Sequence, residues 1–306
     1  MSNPSMSNPA RPNLHPRGVF CAALTPLTPD YAPDHAPFVE HARRLLDQGC
    51  DGIALLGTTG EANAFSVGQR KALLEAALAG GIAPERLMPG TGVAALAETV
   101  ELTRHAVSLG VTTVVMLPPF YYKAVTDEGL FSAYSTVIER VGDARLRLVL
   151  YHIPQIAGIG ISHDLIERLR TRYPEVVTGI KDSSGDLANM EALIARFPGF
   201  AVLAGADPLL LPLLAKGGAG CITATSNLVA ADLALIYRHH ADPARAEDVT
   251  TAQARVIAAR NRASILPQMA SLKAMLADAT GQEAWNRLCP PLLALTEDER
   301  QRLRAA

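Results

Sequence analysis

The sequence predicts a parallel α/β barrel of eight strands, the (β/α)8 TIM-barrel architecture, with a C-terminal extension of three helices. Three observations predict it. Short apolar, β-branched runs alternate with stretches of helical spacing, the pattern of a parallel sheet covered by helices. Eight such strand–helix pairs fit between residues 18 and 242, and eight units close a sheet into a barrel. An open, doubly wound sheet would place a GxGxxG turn after one of its strands, and no strand here is followed by one.

The strands are expected at Val19–Leu24, Ile53–Leu56, Leu87–Gly90, Thr112–Leu117, Leu146–Tyr151, Val176–Lys181, Ala201–Ala204 and Cys221–Thr223. Each is followed by a helix: His35–Gln48, Val67–Ala79, Ala94–Leu109, Asp127–Val141, Ser162–Leu169, Asp186–Arg196, Pro208–Ala215 and Leu228–His240. The punctuation agrees with the periodicity. Gly49 and Gly110 stand where helices stop, Asp127 and Glu128 occupy a first turn as the helix dipole favours, and Ser162 is a cap candidate. Residues 1–17, with MSNP twice, read as a flexible tail. Residues 243–306 contain no strand signal; helices are expected at Arg245–Arg262, Gln268–Ala279 and Thr296–Arg304, packed on the barrel because no Gly/Ser-rich linker precedes them.

Composition narrows the function. With 49% hydrophobic and 19% charged residues the 306-residue chain is globular. A formal net charge of -2 gives no reason to expect nucleic acid or a membrane surface as a partner. No apolar run approaches the roughly 20 residues of a spanning helix, and the N-terminus has no apolar leader core. Cys21, Cys50, Cys221 and Cys289 are scattered and form no CxxC pair, which suits reduced thiols in a cytoplasmic protein. No His/Cys/Asp cluster has metal-ligand spacing, so no metal is expected.

In such a barrel the active site lies at the C-terminal strand ends. The sixth expected strand runs Val176-Val177-Thr178-Gly179-Ile180 and ends on Lys181. Burial there disfavours an ammonium ion, and a neutral amine attacks a carbonyl to form a Schiff base. Around it the other strand ends would bring Thr58 and Thr59, Tyr121 or Tyr122, Tyr151, Gly205, Asp207 and Ile222. Hydroxyls and backbone N–H groups at Thr58-Thr59-Gly60 can hold a carboxylate, and a phenol near an amine can move protons. The set fits a 2-oxo acid bound as an imine. Asp207 can instead cap the helix that begins at Pro208.

Gly57-Thr58-Thr59-Gly60-Glu61, Tyr151-His152-Ile153-Pro154 and Gly179-Ile180-Lys181-Asp182 resemble the GTTGE, YNxP and GxK signatures of the dihydrodipicolinate synthase / N-acetylneuraminate lyase family of pyruvate-dependent aldolases. The resemblance runs from Gly18 to Ala294. It implies that Lys181 forms the Schiff base with no other cofactor, and that Tyr151 is the proton-transfer phenol. It further implies that Thr58 and Thr59 bind the pyruvyl carboxylate, with Thr59 relaying protons. By the same resemblance Tyr121, or Tyr122 beside it, enters a neighbouring subunit's site in a tetramer built as a dimer of dimers, and Gly205 and Asp207 contact the substrate tail. Two departures bear on the substrate. Ile156 stands where the synthase branch has a carboxylate-binding arginine, and Pro208 follows Asp207 where the sialic acid branch has an acidic residue. His152 replaces the usual asparagine.

These departures favour a lyase or aldolase acting on a 2-keto-3-deoxy sugar acid or a related 4-hydroxy-2-oxo acid. Dihydrodipicolinate synthase itself, and a dehydratase or deaminase using the same imine, are the alternatives. A 2-oxo acid sensor is disfavoured, since a sensor need not keep Lys181, Tyr151, Thr58 and Thr59 together.

Overall fold

The structure, a computed structural model, describes residues 15–306. Most of the expected tail therefore lies outside the described residues. Its last part does not trail: the His15 ring bonds the Thr178 carbonyl at 2.9 Å, which moves the start of the ordered barrel ahead of Gly18.

Seven strands form one parallel sheet: β1 (Gly18–Ala22), β2 (Gly52–Ala54), β3 (Thr113–Met116), β4 (Arg147–His152), β5 (Val177–Asp182), β6 (Ala201–Ala204) and β7 (Gly220–Thr223). Their order is β2-β1-β7-β6-β5-β4-β3. The eighth expected strand, Leu87–Gly90, is not a regular strand but a seam that joins the two edges. Met88 and Gly90 donate to Ile53 and Leu55 of the β2 side at 2.9 and 2.8 Å, and Val115 and Thr91 pair it with β3 at 3.0 Å each. Pro89 stands in its middle and has no N–H to extend the ladder, so pairing there reduces to isolated bridges.

Strand alternation divides the side chains. Phe20, Ala22, Val149, Tyr151, Ala201, Leu203 and Ile222 fill the barrel. Their neighbours Val19, Cys21, Leu148, Leu150, Ile180, Val202 and Cys221 face the helices in the larger core. This is the period-2 pattern of a sheet buried on both faces. The covering helices are α1 (His35–Asp47), α2 (Val67–Ala79), α3 (Leu96–Ser108), α4 (Asp127–Val141), α5 (Pro154–Ala157), α6 (His163–Arg172), α7 (Leu187–Arg196), α8 (Leu210–Leu214) and α9 (Ser226–His239). Ser66 closes a capping box on α2, and the Thr126, Ser162 and Asp186 side chains cap α4, α6 and α7. The four-residue α5 falls between the strand expected to end at Tyr151 and the helix expected from Ser162. It opens on a proline and ends at Gly158 with φ +67°, the left-handed stop glycine permits.

The extension is α10 (Ala246–Ala263), α11 (Gln268–Thr280) and α12 (Glu297–Ala305). Trp285, wholly buried, anchors it with Leu272 and Leu276 against Leu24 of the barrel. Arg300 and Arg304 both reach Asp278 and dock α12 onto α11. Among the described residues no helix is long and apolar enough to cross a membrane.

Candidate active site

β4 and β5 lie in parallel register with Tyr151 opposite Lys181. Residues level on neighbouring strands project to the same face, and both point into the barrel mouth. Each is 5% exposed, and the Lys181 Nζ lies 4.2 Å from the centroid of the Tyr151 ring. Burial pushes the Tyr151 phenol up, but Lys181, Thr58 and Ser183 beside it outweigh that and hold it below its ordinary value. A phenol so placed gives up its proton more readily than free tyrosine, as acid–base work requires.

Of the two threonines it is Thr58 that stands beside the phenol, whereas the resemblance implies a proton relay through Thr59. Both threonines line the cavity, but it is the Thr58 hydroxyl that interacts with Tyr151. Ser183 is a neighbour that sequence reasoning missed. It reaches the phenol because residue 205 is glycine: a Cβ at Gly205 would collide with the Ser183 side chain. Gly205 thus serves by having no side chain, and its N–H bonds the Asp182 carbonyl at 2.7 Å. Asp182 fixes the same turn, accepting from the Ser184 amide at 2.8 Å and the Asn189 amide group at 2.7 Å.

The Thr58-Thr59 loop is held from two sides. Thr25 donates to the Gly60 carbonyl at 2.8 Å. Glu61, in a left-handed turn at φ +57°, buries its carboxylate against Lys273 of α11 and accepts from the Cys289 amide at 2.7 Å. Lys273 also donates to the Arg287 carbonyl at 2.6 Å. Burial lowers the Lys273 pKa although Glu61 pulls it back up. A buried pair this well bonded fixes geometry more than it adds stability. It locks the expected carboxylate-binding loop to the extension.

His152, in place of the asparagine, accepts the Ile161 amide on Nδ1 at 3.0 Å. Burial lowers its pKa, in keeping with a neutral ring that clasps the loop after β4.

Above these groups opens a cavity of about 520 Å³. Thr58, Thr59, Tyr151, Lys181, Gly205 and Ile222, all expected at the site, line it together. Ile156 lines it too, at its exposed rim. Three expected residues lie elsewhere. Asp207 is wholly buried behind the wall, its Oδ2 3.6 Å from Arg260 Nη1. Tyr121 and Tyr122 stand 72% and 76% exposed, edge to face at 5.2 Å between ring centroids, and do not line this cavity. The residues sequence reasoning missed are on the far wall. Arg260 comes from α10, Met269 from α11, and Leu288 and Leu292 from the segment before α12. Ile156 brings no cation to this cavity, and Arg260 brings one from the extension. Nothing near Arg260 in sequence marks it; its place follows from how the extension docks. Among the described residues no group of three or more His, Cys, Asp or Glu could hold a metal ion.

A parallel α/β barrel with a buried lysine and tyrosine level at its strand ends defines a class of lyases. The chain matches the model of the dihydrodipicolinate synthetase family over residues 15–306, and it belongs to that family. A DapA-like lyase of Chloroflexus aurantiacus is 36% identical over 295 residues, 95% of this chain and 96% of that one. A 4-hydroxy-tetrahydrodipicolinate synthase of Persephonella marina is 31% identical over 227 residues, 72% of this chain and 74% of its own length. The crystal structure of dihydrodipicolinate synthase from Agrobacterium tumefaciens superimposes with a TM-score of 0.82 at 30% identity, covering 94% of this chain and 97% of that one.

Proposed function

We propose that the chain is a class I lyase that carries a 2-oxo acid as an imine on Lys181 and cleaves its C3–C4 bond to release pyruvate. The observation that carries this reading is the buried Lys181–Tyr151 pair at 4.2 Å, with Thr58 and Ser183 at the phenol. The Lys181 amine adds to the C2 carbonyl of a 4-hydroxy-2-oxo acid, a 2-keto-3-deoxy sugar acid among them, and water leaves. The C4 hydroxyl gives its proton to the Tyr151 phenolate, the C3–C4 electron pair moves onto the imine to form an enamine, and the aldehyde departs. The phenol then protonates C3, and water hydrolyses the imine to pyruvate and free Lys181. Thr58 passes the proton between phenol and solvent, and Thr59 with the loop amides holds the C1 carboxylate. The imine is itself the electron sink, so the reaction calls for no metal. Tyr121, exposed on its own subunit, is read as a contributor to a neighbour's site in a tetramer.

A second reading is the condensation of pyruvate with aspartate semialdehyde, the synthase reaction. Ile156 disfavours it, but Arg260 supplies a cation in the same cavity. Both readings share Lys181. Borohydride with pyruvate should leave a reduced pyruvyl group on Lys181, located by peptide mass spectrometry, and Lys181→Met should abolish it with all turnover. An adduct on another lysine, or none, sinks the imine reading. Comparing kcat/KM for aspartate semialdehyde with that for a 4-hydroxy-2-oxo acid separates the two.

A further inference from the structure

The far wall of the cavity holds one charged group. Among the residues lining the cavity only Lys181 and Arg260 carry charge, and none is acidic. Lys181 is occupied by the imine. Arg260 makes no side-chain hydrogen bond to any described residue; its nearest acidic neighbour is Asp207, 3.6 Å from Nη1. Asp207 is fully buried and does not line the cavity, so it stands behind the guanidinium. A guanidinium offers five N–H donors in a planar fork that matches a carboxylate. Here a buried carboxylate stands behind the fork at 3.6 Å, and no side-chain hydrogen bond to a described residue engages the fork's donors.

The wall between the two cations is largely apolar, with Ile153, Ile156, Ile222, Ala206 and Met269 along it. Its neutral hydrogen-bonding side chains beyond the catalytic group are three. Ser183 serves Tyr151, Gln155 donates to the Ser183 carbonyl at 2.6 Å, and the Gln268 amide alone has a buried nitrogen without a partner. A tail of several hydroxyls would lose water there and recover little beyond a bond to Gln268. A short apolar tail ending in an anion would keep its partner.

We infer that Arg260 is the specificity-determining residue for the substrate's distal end, that it reads a second carboxylate there, and that Asp207 is its positioning residue. This rests on the imine reading and narrows it to 2-oxo acids with two carboxylates. It locates the distal cation on the C-terminal extension, where Ile156 had left that role vacant.

The test compares matched substrates of two lengths: 4-hydroxy-2-oxopentanedioate with 4-hydroxy-2-oxopentanoate, and 4-hydroxy-2-oxohexanedioate with 4-hydroxy-2-oxohexanoate, by pyruvate release. In the wild type one dicarboxylate should exceed its neutral counterpart by about tenfold or more in kcat/KM, the worth of a charge-assisted bond. Arg260→Leu should raise KM for that dicarboxylate roughly 10- to 100-fold, leave kcat within about twofold, and leave the neutral substrate unchanged. Arg260→Lys should fall between, and Asp207→Asn should raise the same KM several-fold. Where cleavage is too slow to follow, half-saturation of borohydride trapping by the same four acids gives the comparison. Preference of the wild type for the neutral acids, or an equal loss on both classes in Arg260→Leu, overturns the inference. If Arg260→Leu does not fold, Arg260→Lys and the wild-type ratio still decide. The imine reading fails separately, by absence of a pyruvate adduct in the wild type.

Discussion

The floor of the cavity and its far wall are made from different kinds of residue. On the floor, Lys181 and Tyr151 sit on adjacent strands whose register levels them to one face, and Thr58 and Ser183 come from the turns just beyond strand ends. Each position follows from local chain geometry. On the far wall, Arg260, Met269 and Leu288 arrive from the extension, and their places depend on docking against Trp285 and Glu61. The proposed chemistry thus rests on the sheet, and the proposed choice of substrate on a separately packed layer. A change on the floor should alter turnover for every substrate, and a change in the wall should alter which substrate is held.

Tyr151→Phe breaks the floor. It removes the phenol proposed to give and take protons, and should lower kcat roughly 10²–10⁴-fold for every substrate while pyruvate trapping persists. Turnover near that of the wild type, followed by pyruvate release, would remove Tyr151 from the mechanism.

Lys273→Met tests the joint between floor and wall. It strands the Glu61 carboxylate in the interior, which costs about 3–5 kcal/mol. Chemical denaturation should show that loss, and adding Glu61→Gln should recover part of it. An equal loss in the double variant would mean that the charge pair is not the cause.

A smaller effect sharpens the wall's dependence on pH. His41 packs edge to face on Trp285 with 4.9 Å between centroids, its Nε2 2.8 Å from Asn227 Oδ1. Burial lowers its pKa to about 4. The unfolded chain therefore takes up the proton first as pH falls. The stability tied to neutral His41 is intact above about pH 6.5 and is lost progressively down to about pH 4, on the order of 3 kcal/mol. Denaturation midpoints across that range should fall in the wild type and fall less in His41→Gln.

What was legible in the sequence divides along the same line. The alternation that marked each strand also marked its end, so Lys181, Tyr151 and Thr58 could be named. The eight-unit count held in outline, although Pro89 turned one strand into a seam. Ser183 was harder, because its approach to the phenol depends on the missing side chain of Gly205 across a strand boundary. Arg260 was not legible at all. Its helix shows only which residues are buried, and no short pattern in it states where the helix docks. Asp207 was named for the right region, but the wall it stands behind exists only once the extension is in place.

The seam at Leu87–Gly90 has a consequence for how the barrel breathes. With bridges where its neighbours have ladders, it is the natural parting line of the ring. Amides of Gly90, Thr91 and Val115 should exchange hydrogen with solvent sooner than those of Tyr151 and Lys181, an ordering that residue-resolved exchange would check. The order of the sheet puts the lysine strand three places from the seam, with strand pairing on both of its flanks that shifts register once, between Leu148 and Val149, and is level at Tyr151 and Lys181. The ring can therefore gape at one side while the amine and the phenol stay level with each other.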